Sequence, residues 1–193
     1  MTPIRLTLAT AAALLIGHGA RAAPTASGAI VDAFRTICAT DDPTPEATLA
    51  RAESLGWRRS GPDAPPDFDP KSQRLAPTGA GGLILGAQAE TTTTVRVDSC
   101  GVSAPVPVHG LAEATEAWLG SQPIFAMRHS ASFSAVRIDG ALRPAVGLDQ
   151  DQIQAARRDG RLYSLMVLDD ETGATGKGRA TLALLRIEPE PGP

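Results

Sequence analysis

Cys38 and Cys100, with the histidines at 109 and 129, are the side chains of this chain with the widest chemical range. A thiol used as a nucleophile or redox centre is activated by a second cysteine in a C-x-x-C pair or by a neighbouring histidine, and neither cysteine has such a neighbour in sequence. The two are therefore expected to form a structural disulfide, a catalytic or redox thiol being the alternative. His109 stands just before a helical pattern in which Glu113 is placed to orient it. His129 sits in the turn Arg128-His129-Ser130, with Ser132 close by. These two imidazoles are the candidates for general-base work. Their plainer roles are a polar residue at a helix start and an exposed turn residue. Two histidines and two paired cysteines cannot close a zinc site without carboxylate help, so no metal and no other cofactor is expected.

Three further patterns approach known chemistry and fall short. Gly173-Ala174-Thr175-Gly176-Lys177-Gly178 has part of a phosphate loop, but Gly178 stands where a hydroxyl should reach magnesium, and a strand pattern follows instead of a helix. Gly101-Val102-Ser103-Ala104-Pro105 is a nucleophile elbow with its last glycine replaced by proline, and the next helix begins too late to hold Ser103 in a strained turn. Asp169, Asp170 and Glu171 gather carboxylates without the alternating ligand spacing of a calcium loop.

The compartment is read from the N-terminus. Arg5, an apolar stretch from Leu6 to Gly17, and Ala20-Arg21-Ala22 have the three regions of a secretory signal peptide, with cleavage expected after Ala22 and Ala23 as the new N-terminus. The apolar stretch is shorter than the ~20 residues a span needs, and no later segment reaches that length. The processed protein is thus expected to be periplasmic or secreted, with no transmembrane segment, in a setting where a disulfide persists. The chain carries 18 basic and 21 acidic residues, a net charge of −3, and loses Arg5 and Arg21 with the signal. That balance argues against nucleic acid or anionic lipid as a partner. Aromatic residues make up 4% of the chain, with Tyr163 the one tyrosine, which disfavours a stacking surface for sugars or single strands.

The elements that must position these residues follow from periodicity and caps. Ile30, Ala33, Phe34, Ile37 and Cys38 form one apolar helical stripe, with Ser27 as the expected N-cap, so Cys38 is placed on a buried face. A second helix opens on Thr44-Pro45 and stops at Gly56, letting Trp57 fold back over Ala52. A third carries Leu111, Ala114, Thr115, Trp118 and Leu119 and stops at Gly120 before Pro123. The fourth has Asp149 and Gln152 as a capping box, Leu148 and Ile153 as a staple, and Arg157, Arg158 and Gly160 at its end. Leu83–Ala89 and Thr92–Ser99 are expected to pair, with Val95 and Val97 on the inner face and Thr94, Arg96 and Asp98 on the outer. Ile124–Arg128 and Phe133–Ile138 form a second hairpin, and the apolar runs Leu162–Leu168 and Ala180–Ile187 are central strands.

Helices alternating with hairpins predict an α+β fold: an antiparallel sheet of about five to six strands with helices packed on it, preceded by a two-helix N-terminal segment. The expected organisation is a signal peptide at 1–22, one domain at 23–187 with a proline-rich loop at 60–82, and a disordered tail at 188–193. The Cys38–Cys100 link would remove about 4 kcal/mol of denatured-state entropy.

Phe34-x-x-x-Cys38, Thr40, a proline-containing gap, Ala52-x-x-x-Gly56-Trp57 and the later Val97-x-x-Cys100-Gly101-Val102 resemble the pattern of a loose group of small secreted proteobacterial proteins of unassigned function. The resemblance implies the exported compartment and a Cys38–Cys100 pairing, and no activity. The expected function is that of an exported, disulfide-stabilised binding or accessory module without catalysis, its partner an envelope protein or a small ligand. A hydrolase using His109 or His129 is the alternative.

Overall fold

The computed structural model describes residues 25–41, 43–91, 95–170 and 179–189. The expected signal segment, Thr92–Thr94, the glycine-rich loop and the last residues of the tail lie outside them. Among the described residues the chain forms four helices and one eight-stranded antiparallel sheet, an α+β fold. The helices are α1 (Ala26–Ile37), α2 (Pro45–Ser54), α3 (Leu111–Leu119) and α4 (Gln150–Arg158). The strands are β1 (Gln73–Leu75), β2 (Ile84–Thr91), β3 (Val95–Ala104), β4 (Phe125–Met127), β5 (Ser130–Ile138), β6 (Ala141–Pro144), β7 (Leu162–Asp170) and β8 (Arg179–Pro189). Their order is β1-β2-β3-β8-β7-β5-β4, with β6 also paired to β5.

The helices form where their caps and stripes demand. Ile30, Val31, Phe34 and Ile37 of α1 and its C-cap Cys38 are buried, and Phe34 meets Trp118 of α3 edge to face at 5.6 Å. The N-cap of α1 is Thr25 rather than Ser27: the Thr25 hydroxyl accepts from the Gly28 amide at 3.1 Å, the spacing a cap requires, and Ser27 is buried one position inside the helix. At the end of α2 the Trp57 amide donates to the Ala52 carbonyl across Gly56, whose φ of +84° is the left-handed value glycine adopts without strain. The Arg51 guanidinium of α2 then donates to the Ile37 carbonyl at 3.0 Å, placing a cation at the C-terminus of α1. In α4 both halves of the Asp149–Gln152 capping box form, and Leu148 and Ile153 pack against Val136, Ala145 and Ala156.

One face of the sheet carries the main core: Leu85, Cys100, Val102, Leu182, Leu184, Leu165, Val167 and Phe133 alternate inward beneath α1, α2 and α3. α4 covers Val136 and Leu162, which point to the opposite face. The first two helices are thus part of this layer, not a segment set ahead of the sheet. The Cys38–Cys100 disulfide joins the end of α1 to the middle of β3 across a Cα separation of 5.6 Å, as the sequence predicted.

The sheet departs from expectation in strand number, in one face and at both ends of the chain's irregular segments. β1 lies inside the stretch expected as a loop, held by pairing to Ile84–Gly86, a bridge from Arg58 to Leu75, and the buried Arg74, which meets Glu53 at 2.6 Å. β6 is a short strand completed only by its partner on β5. On β3 the inner face is Asp98, Cys100, Val102 and Ala104, the reverse of the assignment from Val95 and Val97. Cys100 must face α1 to bond Cys38, which fixes the register, and Asp98 is accommodated by ion pairs with Arg96 and Arg186. β8 continues through Pro189 beside Val95, so residues 188 and 189, expected in a disordered tail, belong to a strand. No described helix is long and apolar enough to cross a membrane.

Candidate functional site

His109 and His129 reach the same place from different elements. After β3, Val108 is buried in the core, which holds His109 at the surface immediately before α3. Gly110, at φ +77°, turns the chain into the helix, and Glu113 lies in the first helical turn, where its charge complements the helix dipole. His129 follows Arg128 in the tight connection between β4 and β5. Together with Glu113, Glu116, Asp169 and Arg128, the two histidines line a cleft of about 380 Å³ between α3, the β4–β5 turn and the end of β7.

Asp169 joins these segments, a role its place in an acidic run did not reveal. Its amide donates to the His129 carbonyl at 2.9 Å, continuing the β5–β7 ladder past the turn. Its carboxylate accepts from the Val108 amide at 3.3 Å, one residue before His109. A single residue therefore clamps both histidine-bearing segments. The sequence signal was a carboxylate at the end of an apolar strand; its two partners are 40 and 61 positions away and no local pattern carries them.

The remaining candidates are distributed elsewhere. Ser132 pairs across the sheet with Ser164, their hydroxyls 3.5 Å apart, and it is Ser130 that borders the cleft. Among the described residues no group of three or more His, Cys, Asp and Glu side chains stands close enough to hold a metal ion. Both histidines and Glu113 are exposed. Among the described lining residues three carboxylates stand against one guanidinium, a negative balance, and the border with β4 is apolar through Ala126 and Met127.

A second concavity of about 240 Å³ lies on the opposite face of the sheet, floored by Gly86, Gly101 and Ala183. Its hydroxyls are engaged: Ser103 with Thr181 at 2.9 Å, Ser99 donating to the Gln88 carbonyl at 3.2 Å, and Ser72 donating to the Asp69 carboxylate at 2.7 Å. Ser103, the residue of the incomplete nucleophile elbow, is thus a strand residue in a sheet ladder. No protein family, curated protein or solved structure matches this chain.

Proposed function

We propose that the protein is an exported, disulfide-tied binding module whose recognition surface is the cleft between α3 and the β4–β5 turn. The observation carrying this reading is the convergence of His109, His129, Glu113, Glu116 and Asp169 on one open cleft. Charged and imidazole groups on a rigid rim suit recognition of a polar partner. The disulfide and the apolar N-terminal stretch with its Ala20-Arg21-Ala22 spacing support export. Convergence of both histidines with Asp169 also favours, as a second reading, a periplasmic hydrolase.

The two readings separate on a His109→Ala, His129→Ala double variant measured beside the native protein. Ester, phosphoester and peptide substrates are expected to show no turnover above buffer with either form, and metal analysis after dialysis no stoichiometric zinc. Hydrolysis by the native protein that the double variant loses, or one equivalent of zinc lost with the imidazoles, would overturn the non-enzymatic reading.

A further inference from the structure

The two edges of the sheet are finished differently. At one edge β1 is short, its Arg74 and Leu75 are buried, and Arg58 bridges to Leu75 from outside. At the other edge β4 lies last in the order, and among the described residues no strand pairs with its outer side. Every residue of β4 is exposed, with Phe125 at 55% and Met127 at 65%, and Ile124 just before it at 62%. Exposed apolar side chains on an unpaired edge are a template for one more strand. β4 also borders the cleft, whose described charged lining is Glu113, Glu116 and Asp169 with Arg128, beside the two histidines.

We infer that β4 accepts an extended segment of a partner protein in which basic and apolar residues alternate. This rests on the reading of the cleft as a recognition surface and names what that surface takes. Phe125 and Met127 share a sheet face with their partners Ser132 and Ser130, while Ala126 pairs with Ala131 on the α3 side. Successive side chains of an added strand point to opposite faces. Alternate residues therefore lie along Phe125 and Met127, and the residues between them point toward the carboxylates of α3. Apolar side chains suit the first row and arginine or lysine the second. A second copy of this chain is a poor occupant, because the protein is net acidic and symmetric pairing through β4 would bring two negative clefts together. A small cation would leave the apolar strand unused.

The probe is a fluorescein-labelled eight-residue peptide alternating valine and arginine, titrated by anisotropy into the native protein at moderate salt. Its controls are a valine–glutamate peptide, a block isomer with the arginines gathered at one end, and the alternating peptide N-methylated on its backbone. Saturable binding of the alternating basic peptide alone is expected, because methylation removes the main-chain donors and the isomer loses the register. Glu113→Gln should weaken binding about threefold and Glu113→Gln with Glu116→Gln about tenfold, the range for exposed charge pairs. Phe125→Lys should abolish it, with an unchanged melting profile showing that the fold is kept. Equal binding of the methylated or block peptide, or no binding at ~1 mM, overturns the inference while leaving the module reading standing. Cleavage of the peptide, seen by mass spectrometry in the same samples, would instead overturn the module reading.

Discussion

Asp169, Cys100 and Glu53 each tie together segments that are distant in sequence, and each makes a different kind of bond. The Asp169 clamp sets the cleft, and it was illegible because its partners come from other elements. The disulfide was legible from compartment, helical stripe and cysteine count, and it brings Cys38 and Cys100 together with both residues fully buried. Replacing Cys38 with serine should lower stability by about 4 kcal/mol, because the denatured chain regains the freedom of a long loop and a hydroxyl is left in an apolar site. Denaturant titration of the Cys38→Ser variant against the native protein checks it; an unchanged midpoint would refute a stabilising role.

Glu53 makes stability depend on pH. The hydrogen-bonded Arg59 guanidinium, and then Arg74, hold the Glu53 carboxyl below the ordinary glutamate range. A carboxyl whose folded pKa is lowered stabilises the fold above its unfolded pKa, and that contribution disappears as pH falls through the folded value. Glu53→Gln should therefore melt below the native protein near neutrality, and the difference should close on the acid side, below about pH 4. Parallel melting curves for the two proteins across that range test the sign. A gap that widens on acidification would contradict it.

At the scale of elements, legibility followed how local the determinants are. The capping box of α4, Pro45 at the start of α2 and the glycine stops at Gly56, Gly120 and Gly160 act within one helical turn, and each stands where the sequence placed it. The continuously apolar β7 and β8 were recognisable as central strands, and each has a strand on either side, but only their alternate residues are buried, with Leu168 and Ile187 exposed. β1 and β6 were missed because three- and four-residue strands beside prolines have no period of their own and exist only through their partners. The face of β3 was misread because alternation alone favours valines inward, whereas the disulfide and the Asp98 ion pairs choose the opposite register. The cap of α4 offers a quantitative check at this scale. Asp149→Ala removes the bond to the Gln152 amide at 2.8 Å and should cost about 1 kcal/mol of stability, read from the denaturation midpoint. Asp149→Asn should recover most of it.

For the whole molecule, the sheet is closed at β1, covered on one face by three helices and partly on the other by α4, and left open at β4 beside an acidic cleft. The α+β class followed from the alternation of helices and hairpins, but the convergence of His109 and His129 did not, since it depends on strand order: only with β7 beside β5 does Asp169 reach both segments. Among the described residues, a sheet left open at β4 suits a protein that presents a surface, and the disulfide suits the export proposed for it. The most direct test of the cleft as that surface is site-specific photocrosslinking in cells exporting the protein, with the photoreactive residue placed at Met127, at His129, or at the exposed Glu46 of α2 as control. A discrete adduct from positions 127 and 129, and none from 46, is the predicted result. The absence of adducts at both cleft positions, or the same adduct from position 46, would contradict it.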